Sequence, residues 1–553
     1  MGLHQGPRLH PNLEKGAEPG RRGCLRGGED RRSAPAGCHP GFPKRKASRV
    51  FPGRILIVRI IHFMEEVTMV GIVSFGAYVP RYRLKRMTIF GAMGWINPAN
   101  ILLAQGEKAV ANQDEDSLTM ATEASIDCLT GFDRSRVDGL YFASTTMPYL
   151  ERQNSGIVSL ALNLREDVRS ADFSGALKSG TSALLSAMEG VASGSLGQAV
   201  VCAADCRLGK MGSPQEMIFG DGAAAFLVGR ERVIAEFKGS YSLTCDFVDH
   251  YRGSRTTFDR QWEDRWIRDL GFDEFIPRAV GGLLKKCHLQ IGDFSKIIFQ
   301  CHYDSERRNL AKILKLDPAK IQDPHHHTIG ETGTAQSLIM LARALEEAQA
   351  GDRLLVVSFG NGCDALYFQV TEEISKLDRR KGVQGHLANR AELNSYPKYA
   401  VFRGMIPVDI GLRGEAEFVT RWSFLWRKRK AVLGLVGSRC RKCGTPQYPP
   451  QRICANPDCG AVDQMEDYSF ADKKGKIFSF TGDMLAASYD PPELYGYVEF
   501  DGGGRILCNF TDCTLQDLKV GMPVAFTFRK KYYDEKRDIH GYFWKAVPQK
   551  EVA

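Results

Sequence analysis

Two stretches of this chain follow the same plan at positions 153 residues apart, from Gly180 to Gly333, and this duplication constrains the fold more than any other feature. Gly180-Thr-Ser-Ala-Leu-Leu opens an amphipathic helix that passes Gly194 and Gly197 and ends in the apolar strand Ala199-Val-Val-Cys-Ala. Gly333-Thr-Ala-Gln-Ser-Leu opens a second helix, which passes Gly351 and ends in the strand Arg353-Leu-Leu-Val-Val. A glycine turn and another apolar strand follow each: Phe219-Gly-Asp-Gly before Ala223 to Val228, and Phe359-Gly-Asn-Gly before Ala365 to Val370. Apolar runs alternating with helices predict a sheet covered by helices, so the spacing implies an α/β fold built from two similar halves. Any α/β protein alternates helix and strand; the matched Gly-Thr and Phe-Gly-x-Gly landmarks are what argue for a repeat.

Downstream the character of the chain changes. Cys440 and Cys443 are followed by Gly444 and, after a short loop, by Cys454 and Cys459. Two short-spaced thiolate pairs joined by a tight loop suit the tetrahedral preference of zinc, and four sulfur ligands make a closed, structural site. Beyond it, Gly475-Lys-Ile-Phe-Ser-Phe-Thr, Tyr495-Gly-Tyr-Val-Glu-Phe, Arg505-Ile-Leu-Cys-Asn-Phe and Pro523-Val-Ala-Phe-Thr-Phe alternate in polarity and predict a small antiparallel barrel. Trp422-Ser-Phe-Leu-Trp-Arg-Lys-Arg-Lys before the cysteines reads as a helix.

Composition matters chiefly for what it excludes. At 553 residues the chain has room for several domains, and no apolar run approaches the ~20 residues needed to span a bilayer. The net charge of +9 invites a nucleic-acid reading, but residues 1–68 carry 13 Lys+Arg against 6 Asp+Glu, leaving a balance of only +2 for the rest. That extension is rich in Arg, Gly and Pro and is expected to be disordered, with Met69 as the natural start; its Glu14, Glu18 and Glu29 argue against an organellar transit peptide. Fifteen cysteines without a secretory signal, four of them in a metal pattern, fit a reducing cytoplasm better than a disulfide framework.

The motifs carry a family resemblance. Asp114-Glu-Asp-Ser-Leu-Thr-Met-Ala-Thr-Glu-Ala, Gly175-Ala-Leu-Lys-Ser-Gly-Thr-Ser-Ala-Leu, Phe219-Gly-Asp-Gly-Ala-Ala-Ala and Gly351-Asp-Arg-Leu-Leu-Val-Val-Ser-Phe-Gly together resemble the 3-hydroxy-3-methylglutaryl-CoA synthases of the thiolase superfamily, most closely their archaeal branch. The resemblance covers roughly residues 70 to 405 and implies a thiolase-like duplicated fold that takes acyl-CoA. The ribbon and barrel resemble a domain-of-unknown-function family that joins a rubredoxin-like zinc ribbon to an OB-fold and accompanies thiolase-like enzymes. The expected organisation is therefore a basic extension at 1–68, thiolase-like halves at 69–235 and 236–405, a linker and helix at 406–436, the ribbon at 437–464 and the OB-fold at 465–553. Within residues 373–420, Tyr396-Pro-Lys-Tyr-Ala-Val-Phe-Arg-Gly looks like the closing segment of the body, and the charged stretches around it, including Lys376-Leu-Asp-Arg-Arg-Lys-Gly, read as linker.

The resemblance also exposes a conflict at the chemistry. Family members use a cysteine at a helix N-terminus to form an acyl-enzyme, and the matching position here is Leu177. Their glutamate acid/base aligns with Thr145, and their histidine with Gln300, two residues before His302. The asparagine of their Gly-Asn-Thr motif is Glu331. His302, Tyr303, Glu331 and Cys363 are the remaining candidates for acid, base, oxyanion-donor or thiol roles, since an aldol-type cleavage of a hydroxyacyl-CoA needs a base and oxyanion donors but no nucleophile. His325-His-His is set aside as a metal site because consecutive residues project in different directions. The reading is a chain that forms or breaks a carbon–carbon bond beside a CoA thioester without an acyl-cysteine, as a homodimer or with a thiolase partner. Its alternatives are a catalytically silent CoA-binding subunit or bridge for a partner thiolase and, from the basic and aromatic mixture of Arg427 to Lys430 with Lys530-Lys-Tyr-Tyr, a nucleic-acid-binding zinc and OB-fold protein.

Overall fold

The computed structural model describes residues 69–301, 303–410 and 420–549; the basic extension at residues 1–68 and the candidate His302 lie outside the described residues. Among the described residues, nine strands share one sheet: β1 (Gly71–Tyr78), β2 (Gly139–Ala143), β3 (Arg169–Phe173), β4 (Ala199–Asp205), β5 (Gly222–Gly229), β6 (Ala235–Thr244), β7 (Lys296–Phe299), β8 (Arg353–Phe359) and β9 (Gly362–Val370). Their order is β7-β8-β9-β6-β1-β5-β4-β2-β3.

The duplication inferred from the motifs is visible in that order. β1 and β6 meet in a short antiparallel seam at Gly71 and Glu236. Outward from the seam, one arm runs antiparallel to β5, antiparallel to β4 and parallel to β2. The other arm repeats the directions through β9, β8 and β7. β3 is an addition to the first arm, parallel to β2, and forms one edge of the sheet, with β7 at the other.

The repeated helices are α2 (Ser179–Ala192) and α3 (Gln336–Glu347), with α1 (Ser117–Cys128) ahead of them in the chain. Every residue of α3 from Gln336 to Ala342 is buried, which a surface helix with one apolar stripe cannot achieve, so α3 is a core helix. α2 and α3 share one apolar cluster with strands of both arms. Their starts approach so closely that a Cβ on Gly180 would lie 2.5 Å from the Thr334 carbonyl oxygen, which explains the glycine at the head of the first repeat. α1 begins at Asp116, whose carboxylate accepts from Thr119 N at 2.8 Å while Asp116 N donates to Thr119 Oγ1 at 2.9 Å.

The charged stretch after β9 differs from the linker reading. Arg380 Nη1 donates to the Cys128 carbonyl at 3.0 Å, Lys381 N donates to Asp127 Oδ1 at 2.8 Å, and Tyr399 and Phe402 are buried. Its charges are spent capping the C-terminal end of α1 rather than keeping a tether solvated.

The C-terminal part opens with two short helices, Trp422–Arg427 and Arg429–Leu433, in place of one. A three-stranded sheet follows, β10 (Val436–Cys440), β11 (Pro446–Gln447) and β12 (Met465–Ser469), in the order β11-β10-β12. Then come β13 (Gly475–Asp483), β14 (Glu493–Phe500), β15 (Arg505–Asn509), β16 (Pro523–Asp534) and β17 (Ile539–Pro548) in the order β15-β14-β13-β16-β17. A bridge from Phe510 to Ala546 brings the two open edges together as an OB-fold barrel.

The barrel is docked on the body. Arg529, 1% exposed, reaches Glu115 Oε1 at 2.5 Å, Asp114 Oδ1 at 3.3 Å and Asp512 Oδ2 at 2.7 Å, and donates to the Tyr78 hydroxyl. Lys545 Nζ pairs with Asp114 Oδ2 at 2.9 Å, Phe528 N donates to Glu123 Oε1 at 2.9 Å, and Tyr542 OH donates to Asp116 Oδ2 at 2.8 Å. The acidic Asp114-Glu-Asp segment and α1 are therefore the seat of the barrel, and one apolar cluster runs from α1 through Trp544 and Phe528. Of the Lys530-Lys-Tyr-Tyr stretch, Lys530 N donates to the Asp114 carbonyl at 2.8 Å and Tyr532 OH accepts from Thr420 N at 2.9 Å, while Lys531 and Tyr533 are exposed. No helix among the described residues is long and apolar enough to cross a membrane.

Candidate functional site

The candidate site lies where the two halves exchange carboxylates. At the end of β4, fully buried Asp205 accepts through Oδ1 from Ser144 Oγ at 2.9 Å, Thr145 N at 2.8 Å and Thr146 Oγ1 at 2.9 Å, and through Oδ2 from Thr334 N and Oγ1, both at 2.8 Å. In return, Asp364 on β9 accepts from Lys178 Nζ at 3.0 Å, Thr181 Oγ1 at 2.9 Å and Ser182 Oγ at 3.2 Å in the first turn of α2. Each Gly-Thr landmark is thus held by an aspartate of the opposite half, and both acids sit at helix starts, where the backbone dipole favours negative charge.

Leu177 lies beside the start of α2, 9% exposed, with the β8–β9 turn directly on it. A Cβ on Gly360 would fall 2.8 Å from Leu177 N and 3.0 Å from Lys178 N, so only glycine permits this approach. Gln300, immediately after β7, donates to the Phe359 carbonyl and is drawn into the same corner. Thr145, immediately after β2, joins through Asp205. The fold thus links Thr145 to Asp205 and sets Gln300 and Leu177 against the β8–β9 turn, the three positions that the motif resemblance set against the family's reactive groups. Two of their polar atoms, Thr145 Oγ1 and Gln300 Oε1, are buried without a hydrogen-bond partner.

Of the four candidates, His302 lies outside the described residues, and the other three have different fates. Glu331 is 9% exposed and pairs with Arg207 Nη1, while its Oε1 accepts from Gly333 N at 2.9 Å. Arg207 is buried too and holds Asp259 Oδ2 at 2.6 Å; Arg252 pairs with Asp259 Oδ1 at 2.5 Å and donates to the Thr145 carbonyl. These two arginines and two carboxylates balance in charge. Burial works to raise the Asp259 carboxyl, but Arg207 and Arg252 hold it below the ordinary range. Cys363 is fully buried opposite Phe359, and burial followed by Asp364 pushes its thiol far above the usual range, so it lacks thiolate character. Tyr303 packs against the apolar cluster that holds Phe359 and Cys363, beside Gln261 and Asp264, and burial raises its phenol. Asp205, Arg207, Arg252, Asp259 and Asp364 escaped sequence reasoning, although a charged Asp205 closing an apolar strand was a signal.

The ribbon is simpler. The sulfur atoms of Cys440, Cys443, Cys454 and Cys459 all lie within 4.8 Å of one another, with Cys440 to Cys459 at 3.8 Å and Cys443 to Cys454 at 3.4 Å. Four sulfurs about 2.3 Å from a central ion in a tetrahedron stand about 3.8 Å apart, so the set fits zinc. Gly444, at φ +78°, turns the chain after the first pair and donates its N–H to the Cys440 carbonyl at 2.8 Å. The Thr445 hydroxyl and backbone bring the exposed Cys443 thiol down to about 6, which favours the ligating thiolate. Bound zinc supplies structural cross-linking.

A duplicated sheet with buried paired helices, followed by a four-cysteine ribbon and a barrel, defines a thiolase-fold protein with an appended zinc-ribbon and OB module. Comparison with known proteins bears this out. Residues 427–465 match the family described as "ChsH2, rubredoxin-like zinc ribbon domain", and residues 468–529 match "ChsH2, C-terminal OB-fold domain". The hydroxymethylglutaryl-CoA synthase of Methanopyrus kandleri is 32% identical over 338 residues, covering 60% of this chain and 96% of that protein. The Methanocaldococcus jannaschii synthase is 32% identical over 349 residues, covering 61% and 99%. In fold, the chain resembles an HMG-CoA synthase complexed with CoA (19% identity, TM-score 0.55, 64% of this chain and 95% of that one) and a point variant of OleA from Xanthomonas campestris (16%, 0.50, 55% and 96%). The chain belongs to the hydroxymethylglutaryl-CoA synthase family.

Proposed function

We propose that the cleft binds an acyl-CoA thioester and that the protein forms or cleaves the carbon–carbon bond next to it without an acyl-enzyme. The observation that carries the reading is Leu177 at the head of α2: its side chain has no atom able to attack a thioester, while Gly360 packs on its backbone and Asp364 laces the helix start beside it. Buried Thr145 Oγ1 and Gln300 Oε1, left without partners, support a polar ligand that supplies them, because a buried unpaired polar group costs about 1–3 kcal/mol. An aldol-type step then needs a proton acceptor for the β-hydroxyl and donors for the thioester oxygen; Glu331 and His302 are the acceptors the reading assigns, with Tyr303 and Cys363 the weaker candidates. Assembly as a homodimer or with a thiolase belongs to the same reading, supported by the open β3 edge and by Leu150, 98% exposed.

The test is turnover of 3-hydroxyacyl-CoAs, and of acetyl-CoA with acetoacetyl-CoA, followed by thioester analysis. Cleavage of a hydroxyacyl-CoA is expected; hydroxymethylglutaryl-CoA formation through a covalent intermediate would refute the mechanism. A second reading, a catalytically silent CoA-binding subunit, is favoured by one observation: the Glu331 carboxylate is already occupied by Arg207 and Gly333. Tight binding of CoA with no turnover of any thioester selects it.

A further inference from the structure

Between β6 and β7 the chain makes a short hairpin in which His250 pairs with Gln261 and Tyr251 with Arg260, antiparallel. One step further along the same register, Arg252 stands opposite Asp259, and the two are ion-paired at 2.5 Å. Residues opposite one another in an antiparallel pair share a face, and alternate residues of a strand return to it. His250, Arg252, Asp259 and Gln261 therefore line one side of the hairpin, and Tyr251 and Arg260 the other. Burial agrees: Tyr251 and Arg260 are exposed, whereas the four residues of the first side are buried or half-buried. That buried side is turned to the candidate site. Asp259 holds Arg207, the partner of Glu331, at 2.6 Å, and Arg252 donates to the Thr145 carbonyl. Gln261 lies beside Tyr303, three residues beyond Gln300 in the loop after β7.

The fourth member of this side, His250, is set up as an acid–base group. Its Nδ1 lies 2.9 Å from Asp249 Oδ2, and Asp249 is 4% exposed. An ionised carboxylate only accepts, so Nδ1 carries the ring proton and Nε2 is left as the acceptor. Among the described residues Nε2 has no hydrogen-bond partner, and the side chain is 13% exposed, enough for a ligand to reach it. Glu331 contrasts with it, because its carboxylate is already taken by Arg207 and Gly333 N. An imidazole oriented through Nδ1 by a buried aspartate, with Nε2 open, is the arrangement by which a histidine takes up and returns a proton.

Resting on the reading that the site forms or cleaves the bond next to a CoA thioester, we propose that His250, oriented by Asp249, is the catalytic group that takes the proton of the β-hydroxyl. In the cleavage direction Nε2 accepts that proton as the bond between the α- and β-carbons breaks. The bonding pair passes to the thioester as its enolate, and the β-oxygen becomes the carbonyl of the released aldehyde or ketone. The imidazolium then returns its proton to the α-carbon, leaving a shorter acyl-CoA. Nothing is oxidised or reduced, and no further reactant is consumed. Asp249 is a positioning residue in this scheme: it fixes the tautomer and the ring.

The test is steady-state cleavage of a panel of 3-hydroxyacyl-CoAs, with 3-hydroxybutyryl-CoA and 3-hydroxy-3-methylglutaryl-CoA among them, by the full chain and by His250→Ala, His250→Gln and Asp249→Asn, each with and without added imidazole. His250→Ala is expected to lower kcat by about 10²–10⁴-fold at unchanged KM, with imidazole restoring part of the loss in a saturable way. His250→Gln, which keeps the bulk but takes no proton, should match it, and Asp249→Asn should show a smaller loss of kcat, again at unchanged KM. A His250→Ala variant with wild-type kcat would overturn the assignment. So would a variant that loses thioester affinity along with kcat and gains nothing from imidazole, since that marks a structural residue. Both of those results leave the carbon–carbon bond reading standing, whereas a wild-type chain that cleaves no member of the panel brings down the reading and the assignment together.

Discussion

The candidate site between the halves and the zinc ribbon differ in their use of cysteine. In the ribbon, four cysteines within twenty residues converge to within 4.8 Å and fit an ion without help from the rest of the chain. Between the halves, Leu177 stands at the helix start where the motif resemblance leads one to expect a cysteine, and the surrounding polar groups come from several separated segments of both halves. A site held by neighbours in sequence stands or falls with its ligands. One held by cross-lacing keeps its shape when a reactive residue is replaced. On the proposed reading, the cross-laced architecture around Leu177 serves a ligand site rather than a covalent step.

The sharpest contrast follows from removing ligands. Cys454→Ser is expected to abolish bound zinc and unfold the ribbon, since structural zinc contributes about 10–16 kcal/mol of apparent binding free energy in small zinc domains. Leu177→Ala should leave the metal content and the ribbon's protease resistance untouched. Metal analysis with limited proteolysis reads both, and full zinc retention by Cys454→Ser would contradict the four-sulfur site.

A smaller effect tests whether the two regions are joined rigidly. Arg529→Met leaves Asp114, Glu115 and Asp512 buried without their shared cation, and removing one partner of a buried ion pair costs about 3–5 kcal/mol. Denaturant unfolding should show that loss, with the barrel released first. An unchanged midpoint would mean that the barrel is not seated on α1.

The same junction has a pH signature. Burial alone would raise the Asp114 carboxyl, but Lys545 and Arg529 bring it from 3.8 to about 2. A carboxyl depressed in the folded state contributes stability that is full above its unfolded pKa and is lost as pH falls from about 4 to 2, here on the order of 2 kcal/mol. Asp114→Asn should flatten that part of the acid-unfolding curve. A variant curve that keeps the full wild-type slope between pH 4 and 2 would contradict the assignment.

The smallest effect belongs to the cleft. Thr145→Val removes a buried hydroxyl that has no partner, so the free protein should gain up to about 1 kcal/mol while CoA-thioester affinity falls several-fold. Loss of stability without loss of affinity would mean that the hydroxyl serves the fold rather than a ligand.

These contrasts also explain what could be read from the residues. The repeat was legible because Gly180 and Gly333 sit at helix starts that nearly touch, and Gly360 where a turn meets the backbone of Leu177; steric demands of that kind leave glycine in the sequence. The four cysteines were legible because their ligand spacing is local. Asp205 was not, because its partners at Ser144, Thr145, Thr146 and Thr334 are joined only by the fold, and an aspartate in sequence does not announce its hydrogen bonds. β17 was missed because Gly541 and the charged turn before it interrupt the alternation, and pairing with β16 restores the strand. Glu331 was recognised as a departure from its motif, but its ion pair with Arg207, 124 residues away in the chain, could be read only from the folded structure.

The most direct test of the central claim is intact-mass analysis of the full chain after incubation with acetyl-CoA, alongside equilibrium binding of the same thioester. Saturable binding with no mass increase on any residue is the expected result. A stable acetyl adduct, mapped to any cysteine of the body, would contradict it.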